Sequence, residues 1–180
     1  MEGEQPIPRN RGTAVDVRDL FFNLPARRRF MSSGTGELRR ISSLVQSYAL
    51  AAPGTAFFLR DGDREIFSCR ASSPDERISA VLGGRVFEQL RFFEGGFGTR
   101  TVRGYASLPA LTRGNRTAQH FFVNGRHVRD RMLGHAVRQA YESLIPSDRF
   151  PVVILFLELP GSEVDVLSLI HISEPTRLRR

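Results

Sequence analysis

Hydrophobic and polar positions change period several times along this chain, and each change predicts an element. GTAVDVRDL spaces Val15, Val17 and Leu20 as a short strand. LFFNLPARRRF follows. Asn23 is a candidate helix cap, Pro25 suits a first helical turn, and a short helix over 26–31 is expected. Pro25 also excludes Leu24 from the α region, so the strand-to-helix turn is sharp. Thr35 is the expected cap of a longer helix, on which Leu38, Ile41, Leu44, Val45, Tyr48 and Ala49 form one apolar face and which Pro53 stops. Asp61-Gly62 between two apolar runs predicts a hairpin. Ser73-Pro74-Asp75-Glu76 is a capping box opening a helix through Val81 and Leu82, ended by Gly83-Gly84.

Further on, LRFFEGGFGTRTVRGYAS reads as a hairpin turning around Gly95-Gly96, and LPALTRGNRTAQ as loop. Asn124-Gly125 between HFFV and RHV is the signature of a type I′ turn. Asp130 caps a last helix with Leu133, Val137, Ala140, Tyr141 and Leu144 on its apolar face. FPVVILFLEL is a near-continuous apolar run, hence a central strand buried on both faces. Pro160-Gly161 turns it into a further strand over Glu163–Val166. Helices interspersed with hairpins give an α+β class with a mixed or antiparallel sheet.

Composition adds little until charge is counted. With 180 residues, 41% of them hydrophobic, one main domain with room for a small second piece is expected. No apolar run reaches membrane-spanning length, and MEGEQPIPRNRG lacks the apolar core of a secretory signal. The lone Cys69 makes neither an intrachain disulfide nor a thiolate cluster. The net charge is +7, and all 26 basic residues are arginine. GC-rich coding accounts for the missing lysines. It leaves the positive excess, which calls for a polyanion or an acidic partner.

Catalytic patterns are thin. His120, His127, His135 and His171 pair with no second ligand at zinc spacing, and His127 and His135 read as surface or helix residues. Neither a nucleophile elbow nor a lysine-bearing phosphate loop is present. Gly95, Gly96 and Gly98 fit a hairpin tip rather than a dinucleotide fingerprint, and Asp61, Asp63 and Glu65 are too few for a calcium loop. The basic clusters say more. Arg126, Arg129 and Arg131 gather between the Asn-Gly turn and the last helix, with Arg138 two turns on and Phe121-Phe122 just before. They read either as a solvated helix start or as a patch for the phosphate backbone of nucleic acid. Arg27, Arg28 and Arg29 lie about 100° apart on a helix, so one is expected to face inward or along an interface.

Three ordered motifs carry a resemblance. GTAVDVRDLFFNLPARRRF resembles the G-T-x-V-x-V-x-x-L-F-x-N-x-P-A-R-x-K-F segment of the MutL family of DNA mismatch repair proteins. FFVNGRHVRDRMLGHAVRQAY is similar to that family's F-V-N-x-R segment and the helix after it, and PVVILFLELPGSEVDV to the strand leading into its V-D-V-N-V-H-P. The resemblance spans roughly residues 12 to 166. It implies a GHKL-type ATPase domain ending at residue 30, then a transducer domain over 31–166 with a ribosomal-S5-like fold, a mixed sheet with helices on one face. The family's ATPase motifs do not occur here, so Met1 reads as an internal start and ATP hydrolysis by this chain alone is not expected. Thr13 is the one position matched to the nucleotide site. Residues 167–180, LSLIHISEPTRLRR, replace the family's N-V-H-P-x-K and resemble translated sequencing-adaptor read-through.

The resemblance also implies a function. The complete protein would use ATP and Mg, with no cofactor expected for this chain by itself. It would bind double-stranded DNA through its backbone, by Arg126, Arg129, Arg131 and Arg138. It would act as a homodimer with a mismatch-recognition protein and a repair endonuclease or helicase, in the bacterial cytoplasm at the nucleoid. Two alternatives stay open: a non-enzymatic S5-like nucleic-acid-binding module, and the transducer of another GHKL ATPase such as a type II topoisomerase subunit. The F-x-N-x-P-A-R segment argues against the topoisomerase.

Overall fold

The structure, a computed structural model, describes residues 13–161. The expected strand at 163–166 and the tail at 167–180 lie outside those residues. Contacts divide the chain into two compact units, one up to Arg39 and one from Arg40.

In the first unit the strand expected over GTAVDVRDL does not form among its described residues, 13–20. Val15 and Val17 are largely exposed. Alternation alone does not make a strand where no neighbouring strand accepts its backbone hydrogen bonds. The sharp turn is present: Phe22 N–H donates to Asp19 O and Leu24 N–H to Phe21 O, with Asp19 and Phe21 at positive φ. Helix α1 runs Pro25–Arg29. Its cap position falls to Leu24, at φ −131°, and not to Asn23, because Pro25 takes the first helical position. Arg27, Arg28 and Arg29 are all exposed, so none faces inward as expected. Helix α2, Gly34–Ala51, begins two residues earlier than a Thr35 cap would allow. Ser33 makes the cap instead, its Oγ accepting from Gly36 N–H at 3.3 Å.

The second unit is built on a five-stranded sheet. Its strands are β3 (Leu90–Phe97), β4 (Arg100–Ser107), β9 (Val153–Glu158), β6 (Gln119–Val123) and β7 (Arg126–Val128), in that spatial order. All neighbours are antiparallel except β6 and β9, so the sheet is mixed. A parallel pair needs a crossover, and α5, Arg131–Ala140, lies within it. Two small antiparallel ladders belong to the same unit: the hairpin of β1 (Phe57–Asp61) with β2 (Arg64–Cys69), and the long-range pair of β5 (Thr112–Arg113) with β8 (Phe150–Pro151). Helix α3, Pro74–Leu82, starts on the expected capping box, and a single-turn α4, Gly84–Phe87, follows it.

The sequence expectation put the helices on one face of the sheet. They lie on both. Phe122 and Ile154 pack with Leu50 of α2 and Ile78 of α3, whereas their chain neighbours Phe121 and Val153 pack with Val137 of α5. Adjacent strand residues point to opposite faces. The reason is β9 itself. Val152, Val153 and Ile154 are buried, and a central strand apolar on both faces needs cover on both. Gly104 shows how closely β4 approaches β9, since a Cβ there would stand 2.0 Å from Ile154 O.

Two further boundaries differ from expectation. The β3–β4 hairpin turns at Gly98-Thr99, with Phe97 opposite Arg100 and Gly98 at φ +60°, while Gly95 and Gly96 remain in the ladder. The run FPVVILFLEL breaks at Val152, where Ser107 intervenes. Val152 N–H donates to Ser107 Oγ at 3.1 Å, and that hydroxyl donates to Leu111 O at 2.8 Å.

Candidate nucleic-acid interface

The Asn124-Gly125 turn forms as its residues dictate, with φ of +47° and +76°. Asn124 is also tied across to the end of β9, its Oδ1 accepting from Leu159 N–H at 2.8 Å. This fixes where β7 begins. Val128 is buried against Phe121, and His127 points to the other face, 5.5 Å from the Phe122 ring. Past β7, Arg129 is exposed. Asp130 Oδ1 then accepts from Leu133 N–H at 2.8 Å and caps α5, so Arg131 holds the first helical position.

Arg129 and Arg131 open onto a groove of about 440 Å³. Its walls come from Ser43 and Ser47 of α2, from Arg116 on a single 3₁₀ turn (Arg116–Ala118), and from His120 and His127. Three guanidiniums face it and Asp130 is its one carboxylate, already engaged by the helix cap. Among the described residues, Arg126, Arg129 and Arg131 form no ion pair. The α5 N-terminus adds its own partial positive charge, which makes two arginines there costly unless an anion is present.

The two histidines of the groove, His120 and His127, are both held toward the neutral form. His120 is buried, with Nδ1 3.4 Å from Ser47 Oγ, whose hydroxyl donates to Ser43 O at 3.0 Å. Burial, then the neighbouring His127, holds His120 down to about 4. Burial and the charge of Arg129 lower His127 as well. They give the groove polar walls and leave the charge to the arginines.

Of the sequence-derived candidates, Arg129 and Arg131 are brought together. Arg126 is exposed at the start of β7, outside the groove lining. Arg138 lines a second groove of about 220 Å³. There its Nη2 donates to Ser147 O at 2.5 Å and its guanidinium lies 6.0 Å from the Phe150 ring centre. Thr13 belongs to the other unit and stands exposed on unpaired backbone. No strand beside it forms a pocket wall, and no cluster of three metal-ligating side chains occurs among the described residues. Sequence reasoning missed Arg116, which sat in a stretch read as loop. The usable signal was Asn115-Arg116-Thr117: Asn115 Oδ1 accepts from Thr117 N–H at 3.0 Å and caps the turn.

Fold and groove define a class: an α+β domain with a basic groove, poor in carboxylates, at one edge of a mixed sheet. Residues 78–167 match the family described as DNA mismatch repair protein, C-terminal domain. The DNA mismatch repair protein MutL of Cellvibrio japonicus is 41% identical over 165 residues, covering 89% of this chain and 26% of that protein. That of Ralstonia nicotianae is 42% identical over 162 residues, covering 90% and 26%. The chain belongs to the MutL family of DNA mismatch repair proteins. It spans about a quarter of the length of these curated relatives. Among solved structures, the Aquifex aeolicus MutL ATPase domain complexed with ADP superposes with a TM-score of 0.60 at 30% identity, over 88% of this chain and 57% of that one. The N-terminal domain of a DNA repair protein gives 0.65 at 25% identity, over 78% and 48%. No helix among the described residues is long and apolar enough to cross a membrane.

Proposed function

We propose that this chain is the DNA-gripping transducer part of a mismatch-repair protein, coupling nucleotide state elsewhere in the parent to DNA and partner binding. In this reading residues 1–30 end the ATPase domain and 31–166 form the transducer. The parent binds ATP with Mg, pairs as a homodimer, and meets a mismatch-recognition protein and a nicking endonuclease or helicase on DNA at the nucleoid. One observation carries the reading: Arg129 and Arg131 open on a shared groove, with Arg116, and have no carboxylate partner among the described residues. Unpaired guanidiniums around one channel suit backbone phosphates, which fix position without reading sequence. In this reading Arg126, exposed at the start of β7, and Arg138, in the second groove, add further phosphate contacts.

The test is Arg131→Glu. Duplex DNA affinity at about 50 mM salt is expected to fall at least tenfold, with equal loss on unrelated sequences. In a protein restored to the length of its relatives, DNA-stimulated ATPase is lost while basal ATPase persists. Unchanged affinity at low salt overturns the assignment.

A further inference from the structure

Arg116 lies outside the motifs that carry the family resemblance, yet it stands where the two grooves meet. The Asn115 cap holds its backbone in the 3₁₀ turn. Its guanidinium lies 5.3 Å from the centre of the Phe150 ring. That ring is itself anchored, since Phe150 pairs with Arg113 in the β5–β8 ladder. A cation over an aromatic face is held in place while its N–H groups stay available to a further acceptor. Arg138 faces the same ring from the second groove, at 6.0 Å. Gln119 and Gly134 line both grooves, and the open space over Gly134 is where Arg116 reaches: a Cβ on Gly134 would meet its Nη1 at 3.6 Å. No carboxylate pairs with Arg116 among the described residues. Two guanidiniums on one ring, with Arg129 and Arg131 nearby, repel one another unless anions lie between them.

We propose that Arg116 is a phosphate ligand that carries the DNA backbone from the Arg129–Arg131 groove over Gly134 to Arg138. This rests on reading the first groove as a DNA interface. It turns two separate basic grooves into one track, with Phe150 as the platform that sets the spacing of its middle cations.

The experiment measures binding of a plain duplex to the full chain by fluorescence anisotropy, titrated from about 50 to 200 mM salt. Each lost phosphate contact lowers the slope of log K against log salt by about 0.9. Arg116→Ala is expected to lower the slope by that amount and to weaken binding several-fold at low salt. Arg116→Lys, which keeps the charge, restores the slope. A purely structural role would move the melting temperature and leave the slope alone. Arg131→Glu is run beside them. If it weakens binding and Arg116→Ala changes neither affinity nor slope, the bridging role is wrong and the groove stays an interface. If neither variant changes binding, the groove reading falls and the bridge with it.

Discussion

His120 is a buried base beside three arginines. In the unfolded chain it takes up a proton near pH 6.5, and in the fold only near 4, so its folded value is depressed. Between those values the unfolded state binds a proton that the folded state refuses. Stability is therefore fully present above 6.5, falls as the pH drops towards 4, and levels off below it. The total is at most about 3 kcal/mol, of which roughly 2 kcal/mol is lost between pH 7 and pH 5. Urea unfolding at the two pH values measures it. His120→Gln is expected to lack that part of the loss, and an equal acid sensitivity in the variant would remove His120 as its source. The sequence did not flag His120. Its burial depends on Ser47, 73 positions away.

At the level of elements, local chemistry was legible wherever one or two residues dictate a backbone shape. The capping box at Ser73, the Asp130 cap and the Asn124-Gly125 turn all form where their residues demand. Gly98 took the turn that Gly95-Gly96 also offered, because the register pairing Phe97 with Arg100 selects among flexible positions. Arg77 shows the other limit. It is wholly buried on α3, with Nη1 donating to Ala49 O at 3.0 Å and Nη2 to the carbonyls of Pro53, Thr55 and Arg70 at 2.7, 2.7 and 2.6 Å. It thus gathers the end of α2, the loop into β1 and the exit of β2 onto one side chain. Along the sequence it is one arginine among 26. Arg77→Met would take the buried donor from Ala49 O and untie the three part-buried carbonyls, at about 1–3 kcal/mol. Denaturant unfolding reads this directly, and a loss below about 1 kcal/mol would show that the loops do not depend on it.

For the whole molecule, charge and fold act together. The net +7 draws in any polyanion, but the fold decides which arginines act as one. The proposed phosphate contacts are five side chains, Arg126, Arg129, Arg131, Arg116 and Arg138. The chain is then expected to show a slope of log K against log salt of about −4 to −5 on duplex DNA, with little sequence preference. A slope nearer −1 would mean that the grooves do not act together.

The sequence by itself determined the α+β class, the Ser73 and Asp130 caps, the Asn124-Gly125 turn and the family, because each rests on neighbouring residues or on motifs kept in order. It also marked Arg129 and Arg131, which only Asp130 separates. Only the tertiary structure decided that helices cover both faces of the sheet, that Arg77 and His120 are buried, and that Arg116 and Arg138 share the Phe150 ring. Those outcomes depend on side chains brought together from distant parts of the chain, and strand register and crossover set which of them meet.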